Sequence, residues 1–154
     1  MSRKPSKATK STNPLRIAPD LAALAQPIDS LKPDPNNANE HPADNIAAIK
    51  VSLQRFGQLQ AVVASADGTI RAGHGRWLAA KELGATHLAV IQIPKEMEGR
   101  AEEFGLADNQ TSRLSRWNPE RLRAAIERMK AAGNLPASIG FAERDLQAIL
   151  AKAR

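Results

Sequence analysis

The stretch Arg71-Ala72-Gly73-His74-Gly75-Arg76-Trp77 decides how this chain reads. Before it, residues 59–64 form an apolar run suited to a buried strand. Asp67-Gly68 is a turn signal that pairs this run with a short strand over 69–71. After it, the spacing predicts a helix over about 76–83, closed by Gly84. Two glycines therefore lie where a strand becomes a helix. The first N–H groups of a helix lack partners and carry partial positive charge, so an anion is stabilised there. Glycine lets the backbone approach a ligand closely. Arg76 adds a planar fork of donors suited to phosphate oxygens. His74 is the candidate catalytic group, because imidazole can donate to phosphate or exchange a proton near neutral pH. Trp77 and Leu78 are expected in the core. A tight turn bearing a surface arginine is the alternative, and this motif alone does not choose between them.

Working outward, residues 26–31 read as a first strand, followed by a loop imposed by Pro33, Pro35 and Asn36-Asn37. A helix is expected from about Asp44, with Ile46, Ile49, Leu53 and Phe56 on one face and Gly57 at its end. Residues 87–93 read as a strand stopped by Pro94, and 95–107 as a helix weakened by Gly99 and Gly105. Asn118-Pro119-Glu120 is a helix start: Asn caps, Pro fits the first turn and Glu complements the dipole. Leu122, Ala125, Ile126 and Met129 form its apolar stripe, and Gly133 ends it. A last helix over 143–152 turns Leu146, Ile149 and Leu150 inward. The order β-α-β-β-α-β-α-α-α predicts an α+β (mixed α/β) fold, a small core sheet with packed helices and then a helical extension. The expected divisions are a disordered basic tail over 1–20, a domain over 21–117 and the extension over 118–154.

The chain has 154 residues and a formal net charge of +6. Arg3, Lys4, Lys7, Lys10 and Arg16 face no acid before Asp20. A second basic stretch runs from Arg113 through Arg116, Arg121, Arg123 and Arg128 to Lys130, against Glu120 and Glu127. This distribution favours a polyanionic partner, with DNA the expected one. Aromatics are 3% with no Tyr, too few for a base-stacking platform. Cysteine is absent, which excludes disulfides, thiolate metal sites and thiol nucleophiles. With neither an apolar signal segment nor a membrane-length apolar run, no membrane association and a cytoplasmic location are expected. The chain reads as a stand-alone module or as part of a longer protein.

The run from Gly73-His74-Gly75-Arg76 to Gly84 resembles the central motif of the ParB/sulfiredoxin-like superfamily. Two more blocks agree in order and spacing. Ser52 to Val63, with Phe56-Gly57-Gln58-Leu59-Gln60, is similar to the ParB block ending Gly-x-x-Gln-Pro. Ala107-Asp108-Asn109 is similar to the block Glu-Asn-x-x-Arg. The resemblance covers about residues 26–117. It implies a nucleotide, CTP or ATP, bound with Mg²⁺. Gly57 and Gln60 would then line the base or sugar side, and Gly73, His74, Gly75, Arg76 and Asn109 would meet phosphates. Asp108 would hold the metal jointly with them. The chain departs from the pattern in three places. Ala61 stands at the Pro position, His74-Gly75 replace Glu-Arg, and Ser112 stands at the Arg position with Arg113 one place late. Sulfiredoxin chemistry needs a cysteine at the turn, where this chain has His74.

The wording is nearest a subgroup found in phage proteins and beside DNA-modification methyltransferases, although no methyltransferase motif is present. Three activities are compatible with the pattern. One is a DNA-associated nucleotide-binding domain, with or without nucleotide hydrolysis, in which a homodimer or a phage or methyltransferase protein is the partner. The second is a metal-dependent nuclease using Asp108, Glu102, Glu103 and His74. The third is a non-enzymatic specificity module in which Arg76, Arg113 and Arg116 contact nucleic-acid phosphates. Nucleotide binding and the salt dependence of DNA binding separate the first and third, and nicking assays decide the second. His41 reads as a loop residue, His87 as structural and Trp117 as a packing staple before the last two helices.

Overall fold

A computed structural model describes residues 13–134 and 139–151. Among these residues, four short strands form one sheet: β1 (Ala25–Pro27), β2 (Val62–Ala64), β3 (Ile70–Ala72) and β4 (His87–Gln92), in the order β1-β4-β2-β3. β1 runs antiparallel to β4, β2 parallel to β4, and β3 antiparallel to β2. Among the described residues, five α-helices accompany it: α1 (Ala43–Phe56), α2 (His74–Glu82), α3 (Ala101–Leu114), α4 (Pro119–Ala131) and α5 (Glu143–Ala151). The mixed α+β architecture is the expected one. Among the described residues, no helix is long and apolar enough to cross a membrane.

The core lies between the sheet and the α1–α2 pair. Ile46 and Leu53 from α1, and Trp77, Ala79 and Ala80 from α2, pack with Val62, Ile70, Leu88 and Val90 of the strands. Ala79 and Ala80 of α2 are fully buried in this core. Leu78 and Phe56, expected inward, are exposed, and the Arg55 guanidinium lies over the Phe56 ring at 5.6 Å. A second, smaller cluster joins α4 to α5 through Leu122, Ile126 and Leu146, with Phe141 and Ile149 against it. Asn118 caps α4 by accepting from the Arg121 N–H at 2.9 Å. Trp117 is a poor staple: its ring meets Phe141 at 6.1 Å but stays 71% exposed.

Several boundaries differ from the sequence reading. Residues 1–12 of the expected tail lie outside the described residues, but residues 13–20 are part of the folded domain. Leu15 is buried in the main core, Ile17 bridges to Gln58, and Asn13 accepts from the Thr86 N–H at 3.1 Å. The first strand stops at Pro27, and Ile28–Ser30 tightens into a 3-10 turn that buries Ile28. The second begins only at Val62, leaving Leu59 exposed. Just before it, the buried Gln58 amide accepts from the Ala89 N–H at 2.8 Å and donates to the Ala89 carbonyl at 3.0 Å. This side chain satisfies the part of β4 that a longer β2 would have paired. Lys95–Arg100 is a 3-10 helix, and α3 then runs through Gly105 to Leu114.

Candidate functional site

The turn that opened the sequence reading shapes the wall of a cleft. Gly73 has φ 96°, the left-handed region that glycine enters without strain, and it ends β3 and caps α2. No side chain caps this helix start, so its leading N–H groups have no side-chain partner. The residues of this turn, Gly73, His74, Gly75 and Arg76, line a cleft of about 410 Å³. From other elements come Gln60, from α3 Asp108 and Asn109, and from the loop before α1 Asn37, Asn39 and His41. Gly75 leaves space there: a Cβ would stand 2.8 Å from His41 Nδ1 and 2.8 Å from Ile49 Cδ1.

Arg76 and Asp108 are thus brought to one cleft from α2 and α3. Burial pushes the Arg76 guanidinium below its ordinary value, and the Asp108 charge pulls it back. Arg76 remains cationic, since guanidinium does not deprotonate in proteins. One of its N–H groups donates to Gln60 Oε1 at 2.8 Å. Arg76 and Gln60 also line an adjoining groove of about 360 Å³, whose walls include Leu53, Phe56, Gly57 and Leu59. Gly57 belongs to this groove and not to the cleft. Its φ of 72° and the Arg16 carbonyl, 2.6 Å from where a Cβ would be, require glycine there.

His74 has a different environment from the one expected. It is buried, and its Nε2 accepts the Asp34 backbone N–H at 3.1 Å. Desolvation lowers its pKa most; the Asp34 charge opposes this, while His41 and Arg71 add to it. A neutral ring whose Nε2 already holds a loop is a structural acceptor, which weakens the case for catalysis through that nitrogen. Asp34 is held in turn by Arg71 at 2.8 Å, a pair largely shielded from solvent. Asn109 lines the cleft while its Oδ1 accepts from Asn39 at 3.2 Å. Arg113 donates to Asn39 at the rim, and Arg116 is exposed in the link to α4. The nuclease set does not converge. Glu103 is paired with Arg100 at 2.8 Å, and Glu102 lines a separate small depression beside His74. Among the described residues, no three His, Cys, Asp or Glu groups are placed to hold a metal by themselves.

The loop of Asn37, Asn39 and His41 was absent from the sequence-based site. Its only signal was the run from Asp34 to Asn39, in which the Asp34 and Asn37 side chains close local turns: the Asn36 N–H donates to Asp34 Oδ1 at 2.9 Å and the Asn39 N–H to Asn37 Oδ1 at 3.1 Å.

The mixed sheet, the glycine-led α2 and the cleft they share fit the ParB/sulfiredoxin-like resemblance of the sequence. No family model matches the sequence. Over 93 residues the chain is 31% identical to the ParB-like nuclease domain-containing protein YnaK of Escherichia coli (strain K12), covering 60% of this chain and 95% of that protein. The chain belongs to this ParB-like family. The C-terminally truncated chromosome-partitioning protein ParB from Caulobacter crescentus, solved in complex with CTP-gamma-S, superposes with a TM-score of 0.67. That likeness covers 82% of this chain and 75% of the other, at 17% identity, and establishes the shared fold.

Proposed function

We propose that the cleft binds the phosphates of a nucleoside triphosphate, CTP or ATP, with Mg²⁺, in a domain that works on DNA. The observation carrying this reading is that Arg76 and Asp108, from two helices, line one cleft at the uncapped start of α2. A guanidinium and free helix N–H groups suit phosphate oxygens. A single carboxylate beside them suits Mg²⁺, which is usually shared between one or two carboxylates and substrate phosphates. The donor set therefore fits a metal that arrives with its nucleotide better than a protein-only metal centre. Asp108 would hold the ion, and the ion would neutralise phosphate charge.

The adjoining groove has Ile49, Gln60 and Arg76 in common with the cleft. A triphosphate in the cleft would leave its nucleoside toward that groove, with Gln60 and Gly57 on the sugar and base side. The bound CTP-gamma-S of the Caulobacter protein supports this reading by likeness of fold. Because His74 Nε2 is committed to Asp34, the reading is one of binding, with any hydrolysis secondary. Calorimetry with CTP, ATP and GTP in Mg²⁺ tests it. Saturable binding of at least one nucleotide, abolished by Arg76→Ala, is expected; no binding of any of the three overturns it.

The DNA partner has its own support. Arg116, Arg121 and Arg128 are exposed along the link and the outer side of α4. A steep fall of DNA affinity with salt, shallower in Arg121→Ala and Arg128→Ala, is the expected result.

A further inference from the structure

The loop over the cleft is tied down at three points. At its start, Asp34 is held by Arg71 at 2.8 Å and by His74. At its end, His41 Nδ1 meets Asn45 Oδ1 at 2.8 Å. Its middle crosses to α3, where the Asn39 amide is used at both ends. Its Nδ2 donates to Asn109 Oδ1 at 3.2 Å, and its Oδ1 accepts from an Arg113 N–H. Asn109 is itself oriented by donating to the Gly105 carbonyl at 3.1 Å, which turns its Oδ1 toward Asn39. Asn109 and Arg113 are four residues apart and share a face of α3, so one helix side presents an acceptor and a donor that together match a single carboxamide.

We propose that Arg113 is a positioning residue: through Asn39 it latches the Asn37–His41 loop against α3 and holds the phosphate cleft in its binding shape. The inference rests on the phosphate reading above. It reassigns Arg113 from direct contact with nucleic acid to control of the cleft. Asn39 and Asn109 both line the cleft, so the latch forms part of its wall. A loop already latched need not be ordered by the ligand, and preorganisation of this kind appears as affinity. If loss of the latch leaves the loop competent about a tenth of the time, apparent affinity falls about tenfold.

The test is nucleotide affinity by calorimetry in the full chain, with CTP, ATP and GTP in Mg²⁺, for wild type, Arg76→Ala, Arg113→Ala, Asn39→Ala and the double variant. Arg113→Lys, which keeps a donor, is measured as the rescue. Hydrogen exchange across residues 36–41 is followed without ligand. Arg113→Ala and Asn39→Ala are expected to weaken binding about tenfold each. The double variant should be no weaker than either single, as for residues acting through one contact. Arg113→Lys should recover most of the affinity, and exchange in the loop should quicken in both single variants while the melting midpoint barely moves. Wild type that binds none of the nucleotides overturns the phosphate reading and the latch with it. Binding lost in Arg76→Ala but unchanged in Arg113→Ala overturns the latch alone, as does strict additivity in the double variant.

Discussion

Replacing Gly105 with alanine tests how α3 is seated, and through it the position of Asp108. The glycine lies against β3: a Cβ there would stand 2.7 Å from the Arg71 backbone carbonyl oxygen. Carbon and carbonyl oxygen ordinarily approach to about 3.3 Å, so α3 must move by roughly 0.6 Å. The obstacle is strand backbone, which cannot rotate aside as a side chain can. Overpacking of this kind costs about 1–3 kcal/mol, and a rigid wall places it in the upper half of that range. Alanine is better than glycine in a helix by about 1 kcal/mol. The net expectation is destabilisation by about 1–2 kcal/mol, a drop in melting midpoint of roughly 3–6 °C for a chain of this size. Urea denaturation and thermal melting measure it. Gly99→Ala is the control, since a Cβ there would meet nothing within 4 Å beyond its own chain neighbours; it should be neutral or stabilising by up to about 1 kcal/mol. Asp108 and Asn109 follow Gly105 by one turn on the same face, so the displacement reaches the cleft and nucleotide binding should weaken with it. A Gly105→Ala protein as stable as wild type would falsify the packing of α3 on the β3 carbonyl.

Three further outcomes follow from the same structure. Gln58→Leu removes a buried carboxamide that partners both Ala89 backbone groups, and it should destabilise by about 2–4 kcal/mol in urea melts, with Gln58→Glu no better. Leu15→Ala should lose about 2–4 kcal/mol, because Leu15 is a core residue; a loss near zero would return residues 13–20 to the tail. His74 is held neutral, so its folded pKa lies below the unfolded value near 6.5. The unfolded chain then binds the extra proton first, and the stability contributed by neutral His74 is present above about pH 6.5 and lost as pH falls toward the folded value. Denaturation between pH 7.5 and 5 should show this loss in wild type and a flatter profile in His74→Gln, which keeps an acceptor for Asp34. Parallel profiles in the two proteins refute it.

The parts of the fold that were legible in the sequence are those written in local patterns. The Gly73–Arg76 turn shows itself as glycines between an alternating and a helical stretch, and Asp67-Gly68 announces the β2–β3 reversal. Periodicity marks α1, α4 and α5, and Asn118-Pro119-Glu120 marks the start of α4. What stayed hidden depends on distant partners. Gln58 looks like a surface residue by type, yet it is buried because β4 supplies a donor and an acceptor at the right spacing. Leu15 and Ile17 are lone apolar residues in a basic stretch and carry no periodic signal. Phe56 and Leu78 fit an apolar face by spacing but fall at its margin, where α1 and α2 meet solvent. For the site, Arg76, Asp108 and Asn109 were nominated from residue type and motif, whereas Asn39 and His41 enter only because residues 33–42 fold back over α2 and α3. The distinction between Arg113 and Arg116 is likewise tertiary: both are basic residues near the end of α3, and only one meets Asn39.

The cleft described above is completed only by distant parts of the chain. Its lining is drawn from the stretches 37–41, 60–63, 72–76 and 108–109 together with Ile49; only the two middle stretches, joined by the β2–β3 hairpin, are near neighbours in the chain. Contacts of such sequence separation form late, after the entropy of closing the intervening loops has been met. A chain in which α3 and the 37–41 loop have not docked lacks Asp108, Asn109 and Asn39 at the turn, so a phosphate ligand would bind the finished molecule best. Such a ligand would oppose global opening and leave local fraying untouched. Resistance to proteolysis across the whole domain, gained in step with ligand concentration, would then report occupancy of this one cleft.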